Sequence, residues 1–171
     1  MTLRLNTFLA ALFVSSLLMS SCQEEDSPSV NTDGTTNAPV FTLESVDGGS
    51  KSLSDYSGGP LIIFFFGDKC PLCKAAAPDI EAELAQKYKD TSVNIIGIDV
   101  WDGTQSSVND FRTGTKVTFD LLLKGSATAK AFGTTYDRLV VVSADGKLVH
   151  VGTSSADNDI NNVIKTVDAL L

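Results

Sequence analysis

The chain holds three cysteines, and two of them, Cys70 and Cys73, lie together in the stretch FFFGDKCPLCKAAAP. A pair at this spacing suits dithiol–disulfide exchange, a static disulfide, half of a tetrahedral zinc site, or plain apolar filling. Zinc needs two more ligands, and beyond the pair residues 39–171 offer only His150. A static disulfide closing so short a loop adds little stability by the loop-entropy argument. Exchange is favoured by what surrounds the pair. Pro71 suits the first position of a helix, where its missing N–H costs nothing. Cys70 then sits at a helix N-terminus, where unpaired N–H groups and the positive end of the dipole stabilise a thiolate. Helix starts and nearby cations bring a cysteine from a pKa of about 8.5 into the range of roughly 3.5–7.5. Lys69 and Lys74 supply local positive charge in an acidic chain. Cys70 is therefore expected to be a solvent-reachable nucleophile, supported by Lys69, Pro71 and Lys74. Cys73, one turn along, is expected to be the resolving thiol that displaces a mixed disulfide. This chemistry needs no cofactor and no metal.

The elements that must position the pair are legible on either side of it. Six apolar residues without alternation, LIIFFF at 61–66, are bounded by Gly58-Gly59-Pro60 and Gly67. Such a run reads as a strand buried on both faces, in the middle of a parallel sheet. From Pro71, the residues Leu72, Ala76, Ile80, Leu84 and Tyr88 recur every fourth position, which predicts a helix kinked near its first turns by Pro78. Residues 93–100 read as a second buried strand, completing a right-handed βαβ unit. Asp47-Gly48-Gly49 between short alternating segments predicts an N-terminal hairpin. Ser107 with Asp110 is expected to cap a short helix toward Phe111, 117–123 to form an edge strand, and Ser126 to open a helix ending at Phe132-Gly133. Asp145-Gly146 between 139–142 and 148–151 predicts a second hairpin, with His150 facing solvent. Ile160, Val163, Ile164, Val167 and Leu170 make an apolar helical stripe that docks on the sheet. Trp101, just after the second parallel strand, stands at the edge where open α/β sheets place their sites, and two readings stay open for it: packing, or proximity to the pair.

The first 21 residues carry one charge, Arg4, an apolar run over 8–19 and small residues before Cys22, which reads as an export signal. Met19-Ser20-Ser21-Cys22 resembles the lipobox of bacterial lipoproteins, and that resemblance makes Cys22 a lipid anchor in the membrane. Residues 22–38, polar and acidic, read as a flexible tether. The run Glu24, Glu25 and Asp26 has two readings: the signal that carries some lipoproteins to the outer face of the outer membrane, or charge that merely keeps a linker extended. Protease shaving of intact cells separates them. Either way the expected location is the cell envelope, at the periplasmic face or on the outer membrane surface. With 21 acidic residues against 13 basic, the net charge is −8, which repels phosphate backbones and argues against nucleic acid as a partner.

The stretch from Ala38 to Tyr88, with its APVFTL start, DGGSKSLSD hairpin, apolar strand, CPLC and helical Pro78, resembles the opening of membrane-tethered thioredoxin-like proteins of the TlpA and ResA type. The resemblance continues through the Asp145-Gly146 hairpin and the last helix, covering residues 39–171. It implies an α/β thioredoxin fold, a central mixed sheet flanked by helices with an extra N-terminal β-hairpin. It also implies Cys70 as nucleophile, Cys73 as resolving thiol, a disulfide-containing protein or small thiol as substrate, and an upstream thiol protein as electron donor. Four positions depart from that pattern. Asp68-Lys69 replaces the aromatic pair common before the first cysteine. Ala76 stands where relatives carry an acid inside the active-site helix, and Phe64 where thioredoxins bury an acid in the preceding strand. The loop that usually holds a cis-proline falls near Asp137, in TTYDR, which has no proline, so a trans loop is expected. Peroxiredoxins share the fold and carry an arginine near the position of Arg138, but they place threonine or serine where Gly67 stands. A third alternative is a binding lipoprotein that keeps the cysteines as a structural disulfide.

Overall fold

The computed structural model describes residues 36–171. The expected signal at 1–21, the Cys22 anchor and nearly all of the tether lie outside the described residues.

The run 61–66 becomes β4 (Leu61–Phe66), with every side chain buried. Its neighbours are β5 (Asn94–Asp99), running parallel, and β7 (Arg138–Val142), running antiparallel. The remaining strands are β6 (Asp120–Leu122) and β8 (Lys147–Val151), with the unanticipated β1 (Thr36–Asn37). Together they form a mixed sheet in the order β1-β8-β7-β4-β5-β6. A second, two-stranded sheet pairs β2 (Thr42–Glu44) with β3 (Ser50–Ser52).

Because successive strand residues point to opposite faces, β4 feeds two apolar layers. Ile62, Phe64 and Phe66 enter the layer that holds Cys70, Cys73, Ile80, Phe111 and Val163. Leu61, Ile63 and Phe65 enter the other, with Phe41, Tyr56 and Phe132. The first layer is covered by α1 (Pro71–Ile80), α3 (Gln105–Thr115) and α5 (Ala156–Asp168). Phe66 stacks on Phe111 with ring centroids 4.3 Å apart, clamping α3 to the end of β4. The second layer is closed by α4 (Ser126–Ala131), and Phe132, just past its end, packs on Phe65.

Four local expectations are revised. The helix after Cys70 is not simply kinked at Pro78. It runs through that residue to Ile80, then opens into a π-helical turn at Glu81–Ala85 before α2 (Gln86–Tyr88). Proline lacks the N–H that closes an α-turn, and the disturbance is taken up just beyond it, where the Glu81 carboxylate accepts from the N–H and hydroxyl of Thr118 at 2.8 and 2.9 Å. Helix α3 starts before Ser107: Thr104 is the cap, its hydroxyl oxygen accepting the Ser107 N–H at 3.2 Å. A cap lies ahead of the N–H it satisfies, so the reading from Ser107 was displaced by one turn. The edge strand expected over 117–123 shortens to β6. His150 does not face solvent: it is half-buried, with Nε2 2.7 Å from the Asp159 carboxylate of α5. The register slips between Val141, opposite His150, and Val142, opposite Leu148, so Val149 bulges out to 40% exposure and His150 turns under α5.

Candidate active site

Beyond Phe66 the chain turns through Gly67, Asp68 and Lys69 and enters α1 with Cys70 at the N-cap, in extended conformation, and Pro71 at the first helical position. The Cys73 N–H donates to Cys70 Sγ at 3.2 Å. Sulfur thus fills the acceptor role that a serine or aspartate oxygen usually plays at a helix start. The Cys70 N–H donates to the Gly67 carbonyl at 3.0 Å, fixing the approach. Both cysteines are free thiols. Lys69, Pro71, Leu72 and Lys74 are exposed around them.

One expectation fails here. Cys70 is at the helix start but is only 1% exposed, and Cys73 is fully buried. Both pack into the apolar layer with Phe66 and Ala76, so reaction at Cys70 requires its cover to move. Trp101 is next to that cover. Its indole lies against the backbone of Gly67, so closely that a Cβ at position 67 would stand 2.6 Å from Cε2 and 2.8 Å from Cε3. Trp101 is 44% exposed and meets Tyr136 edge-on, with centroids 5.2 Å apart. Both readings of Trp101 therefore meet in one residue, which packs on the turn leading into Cys70.

Burial pushes the Cys73 thiol well above the ordinary cysteine range. The adjoining Cys70 thiol raises it further, the Gly67 N–H opposes, and the negative charge of Asp137 adds to the rise. Cys73 is thus held protonated at neutral pH.

Ala76 and Phe64, the positions without an acid, are buried among apolar side chains as their types require. Carboxylates reach this end of the sheet from elsewhere. Asp99, the last residue of β5, is fully buried, and its carboxylate accepts the N–H groups of Asp68 at 3.0 Å, Trp101 at 3.3 Å and Gly103 at 2.6 Å. Burial raises the Asp99 pKa and those three donors oppose the rise. Asp99 thereby ties the turn before Cys70 to the loop that carries Trp101. Asp68 is also buried, with Oδ2 making no hydrogen bond, and it packs so tightly against Gly103 that a Cβ there would lie 2.8 Å from its Cγ.

Asp137 is 3% exposed and has φ +57°, and among the described residues no peptide bond is cis. Its Oδ1 accepts the N–H of Ala156, the first residue of α5, at 3.4 Å, and its carbonyl accepts from Arg138 Nη1 at 2.7 Å. Burial raises its pKa, with the Ala156 N–H and Arg138 opposing. Sequence reasoning marked Asp137 only as a proline that was missing and overlooked Asp99. The available signal for both was a lone acid beside a solidly apolar strand. A cavity of about 610 Å³ lined by Phe41, Leu53, Tyr56 and Val142 lies by Leu61, at the opposite end of β4 from the cysteines.

A mixed sheet flanked by helices, with a dithiol at the N-terminus of the helix after the central strand, is the architecture of the thioredoxin-like proteins. The fold is shared with a putative protein disulfide isomerase from Bacteroides thetaiotaomicron: TM-score 0.66, 26% identity, 77% of this chain and 88% of that one. The chain belongs to the AhpC/TSA family, whose model matches residues 35–151. It is 29% identical over 114 residues to the thiol-disulfide oxidoreductase ResA of Bacillus thuringiensis, covering 66% of this chain and 65% of that protein. It is 32% identical over 102 residues to a putative chloroplastic peroxiredoxin Q of Oryza sativa, covering 58% of this chain and 46% of that protein. The chain thus spans just under two thirds of its ResA relative and less than half of the peroxiredoxin.

Proposed function

We propose that this protein is a thiol-disulfide oxidoreductase that works by dithiol exchange through Cys70 and Cys73. The observation that carries this reading is Cys70 Sγ capping α1 and accepting the Cys73 N–H, which sets the attacking sulfur at the helix start and its resolving partner one turn along. As thiolate, Cys70 attacks one sulfur of a substrate disulfide and expels the other as a thiolate. Cys73 then loses its proton, attacks Cys70 Sγ in the mixed disulfide and releases the second substrate thiol. The protein is left with a Cys70–Cys73 disulfide, which an upstream thiol donor reduces. No cofactor takes part. The substrate class is a disulfide-bearing protein or a small disulfide, and the exposed Leu72, Trp101 and Tyr136 form the apolar ground around the pair.

We place the protein in the cell envelope, with residues 1–21 as a signal, Cys22 lipidated, 22–38 as tether and 39–171 as the thioredoxin-like domain. Strand β1 gives the end of the sheet at which such a tether would join the domain. It is antiparallel to β8, which runs in the same direction as β4, so the chain enters the sheet from the end where α1 begins.

The peroxidase reading is disfavoured by Gly67. The space a hydroxyl-bearing side chain needs there is filled by the Trp101 indole, so nothing orients a peroxide at that position. The test is turnover of a disulfide substrate by the parent and by Cys70→Ser. The account expects loss of turnover in the variant, and equal rates would remove the assignment.

A further inference from the structure

We propose that a hollow beside the Trp101–Tyr136 pair is a substrate subsite, which receives an acidic side chain flanking the reacting cysteine of a disulfide-bearing polypeptide. The inference rests on the exchange reading above and narrows its substrate class. The hollow measures about 380 Å³; Val100 and Ala129 give it apolar lining, Ser126, Lys130, Thr134 and Thr135 polar lining. Val100 directly precedes Trp101 and Thr135 directly precedes Tyr136, and those two rings meet edge-on with centroids 5.2 Å apart. Trp101 rests in turn on Gly67, whose carbonyl accepts the Cys70 N–H. The hollow thus stands at the cysteine end of the sheet, and the aromatic pair links it to the turn that enters α1.

The end of α4 supplies the polar group that matters. The Gly133 N–H donates to the Lys130 carbonyl at 3.0 Å and the Thr134 N–H to the Ala129 carbonyl at 2.9 Å, and Gly133 has φ +65°. This is the paired closure of a helix on a left-handed glycine, in which the residue after the glycine commonly lays an apolar side chain back over the last turn. Here that residue is Thr134, and its Oγ1 is buried without a hydrogen bond. A hydroxyl at a position suited to an apolar contact breaks a local rule with no gain inside the chain, and such breaks concentrate at functional sites. Thr134 Oγ1 and the Lys130 ammonium are both donors, and an ionised carboxylate accepts from both. The nearest acid along this wall, Asp102, is engaged elsewhere: its carboxylate accepts the Ser126 N–H at 3.2 Å and the Ser126 hydroxyl at 2.7 Å.

A glutamate suits both kinds of lining. Its methylene groups lie against Val100 and Ala129, and its carboxylate takes the Thr134 hydroxyl and the Lys130 ammonium. Lys69 and Lys74, exposed around the thiols, carry the same sign as Lys130. A substrate with acidic residues beside its disulfide is therefore drawn to this end of a chain whose net charge of −8 repels it elsewhere. Contacts of this kind are made equally before and during attack on the disulfide, so they lower the concentration of substrate needed and leave the maximal rate to the sulfurs.

The test is single-turnover reaction of the reduced full chain with excess symmetric disulfides of capped Xaa-Cys-Xaa tripeptides, in which Xaa is Glu, Gln, Leu or Lys. Acid-quenched samples give the peptide thiol released. We expect the Glu peptide to react about fivefold faster than the Gln peptide at low concentration, the scale of an exposed ion pair joined by a charged hydrogen bond. The difference should lie in the half-saturating concentration. Thr134→Val removes the hydroxyl and restores the apolar contact at the end of α4. Combined with Lys130→Gln, it should lower the Glu-to-Gln ratio about threefold or more. Lys165→Gln, at an exposed position of α5, should keep the parent's ratio. An undiminished ratio in the double variant would overturn the proposal, because Lys69 and Lys74 would then account for the preference. A parent that prefers the Leu or the Lys peptide would overturn it too, the hollow being then an apolar seat or one ruled by Asp102. Absence of thiol release from every peptide would instead remove the exchange reading itself. Should the double variant fail to fold, Thr134→Val alone decides, with the parent's ratio again the overturning result.

Discussion

Replacing Asp137 by proline installs the residue that thioredoxin-like relatives carry in this loop, and the structure says the change will harm rather than repair. The φ angle at Asp137 is +57°, whereas the proline ring holds φ near −65°, so the N–Cα bond would have to turn by about 120°. Both flanks resist that rotation. Tyr136 is held edge-on against Trp101, and Arg138 is paired with Phe65 in the central ladder while its Nη1 bonds the Asp137 carbonyl. Relief of left-handed strain returns about 1–2 kcal/mol, and a buried carboxylate is removed, but a proline in an incompatible conformation costs about 3 kcal/mol or more and the flanking contacts go with it. The net loss expected is about 2–3 kcal/mol. For a domain of this size that corresponds to a fall in Tm of about 8–12 °C. Thermal and urea denaturation followed by circular dichroism would read it, with Asp137→Gly as the control. Glycine takes positive φ freely, so its variant should stay within about 1 kcal/mol of the parent. A proline variant melting within about 2 °C of the parent would refute the reasoning, because the loop would then accept a proline-compatible backbone.

Two further outcomes follow from the same end of the sheet. Gly67→Ala drives a methyl group into the Trp101 indole, so the ring should swing toward solvent with a red shift of the chain's one tryptophan emission and a loss of about 1–3 kcal/mol. Unchanged emission would mean the indole does not rest on that turn. The buried Asp99 has its pKa raised by burial. Its contribution to stability is therefore complete below the unfolded aspartate value of about 3.9 and is lost as pH rises through the higher folded value. Urea midpoints of Asp99→Asn should decline less than the parent's across that window, and an identical slope would contradict the assignment.

Much of the scaffold was legible because local periodicity carries it. The unbroken run at 61–66 has no alternative to a doubly buried strand, and the fourfold spacing from Pro71 has none to a helix facing that strand. Cys70 at the helix start was legible for the same reason, since Pro71 marks the first helical position. What was not legible depends on contacts across the chain. Asp99 serves the turn at Asp68 from 31 residues away, and Asp137 meets Ala156 across 19. The local signal, a lone acid beside an apolar strand, does not say which distant group either one serves. Positions 64 and 76 therefore carry no acid, although the fold brings others to this end of the sheet. His150 was misread because alternation assumes an unbroken ladder, and the bulge at Val149 reverses it. The burial of Cys70 was missed because exposure at a helix start depends on what packs over it.

The central claim is that Cys70 and Cys73 form a working redox couple. Equilibrium titration of the full chain against thiol buffers, following Trp101 emission and confirmed by counting alkylated cysteines, tests it most directly. The account predicts one two-electron transition confined to Cys70 and Cys73, with a midpoint between about −270 and −120 mV, the range of exchange-active proteins of this fold. A pair that stays oxidised below about −300 mV, where static disulfides lie, or that never oxidises, would contradict it.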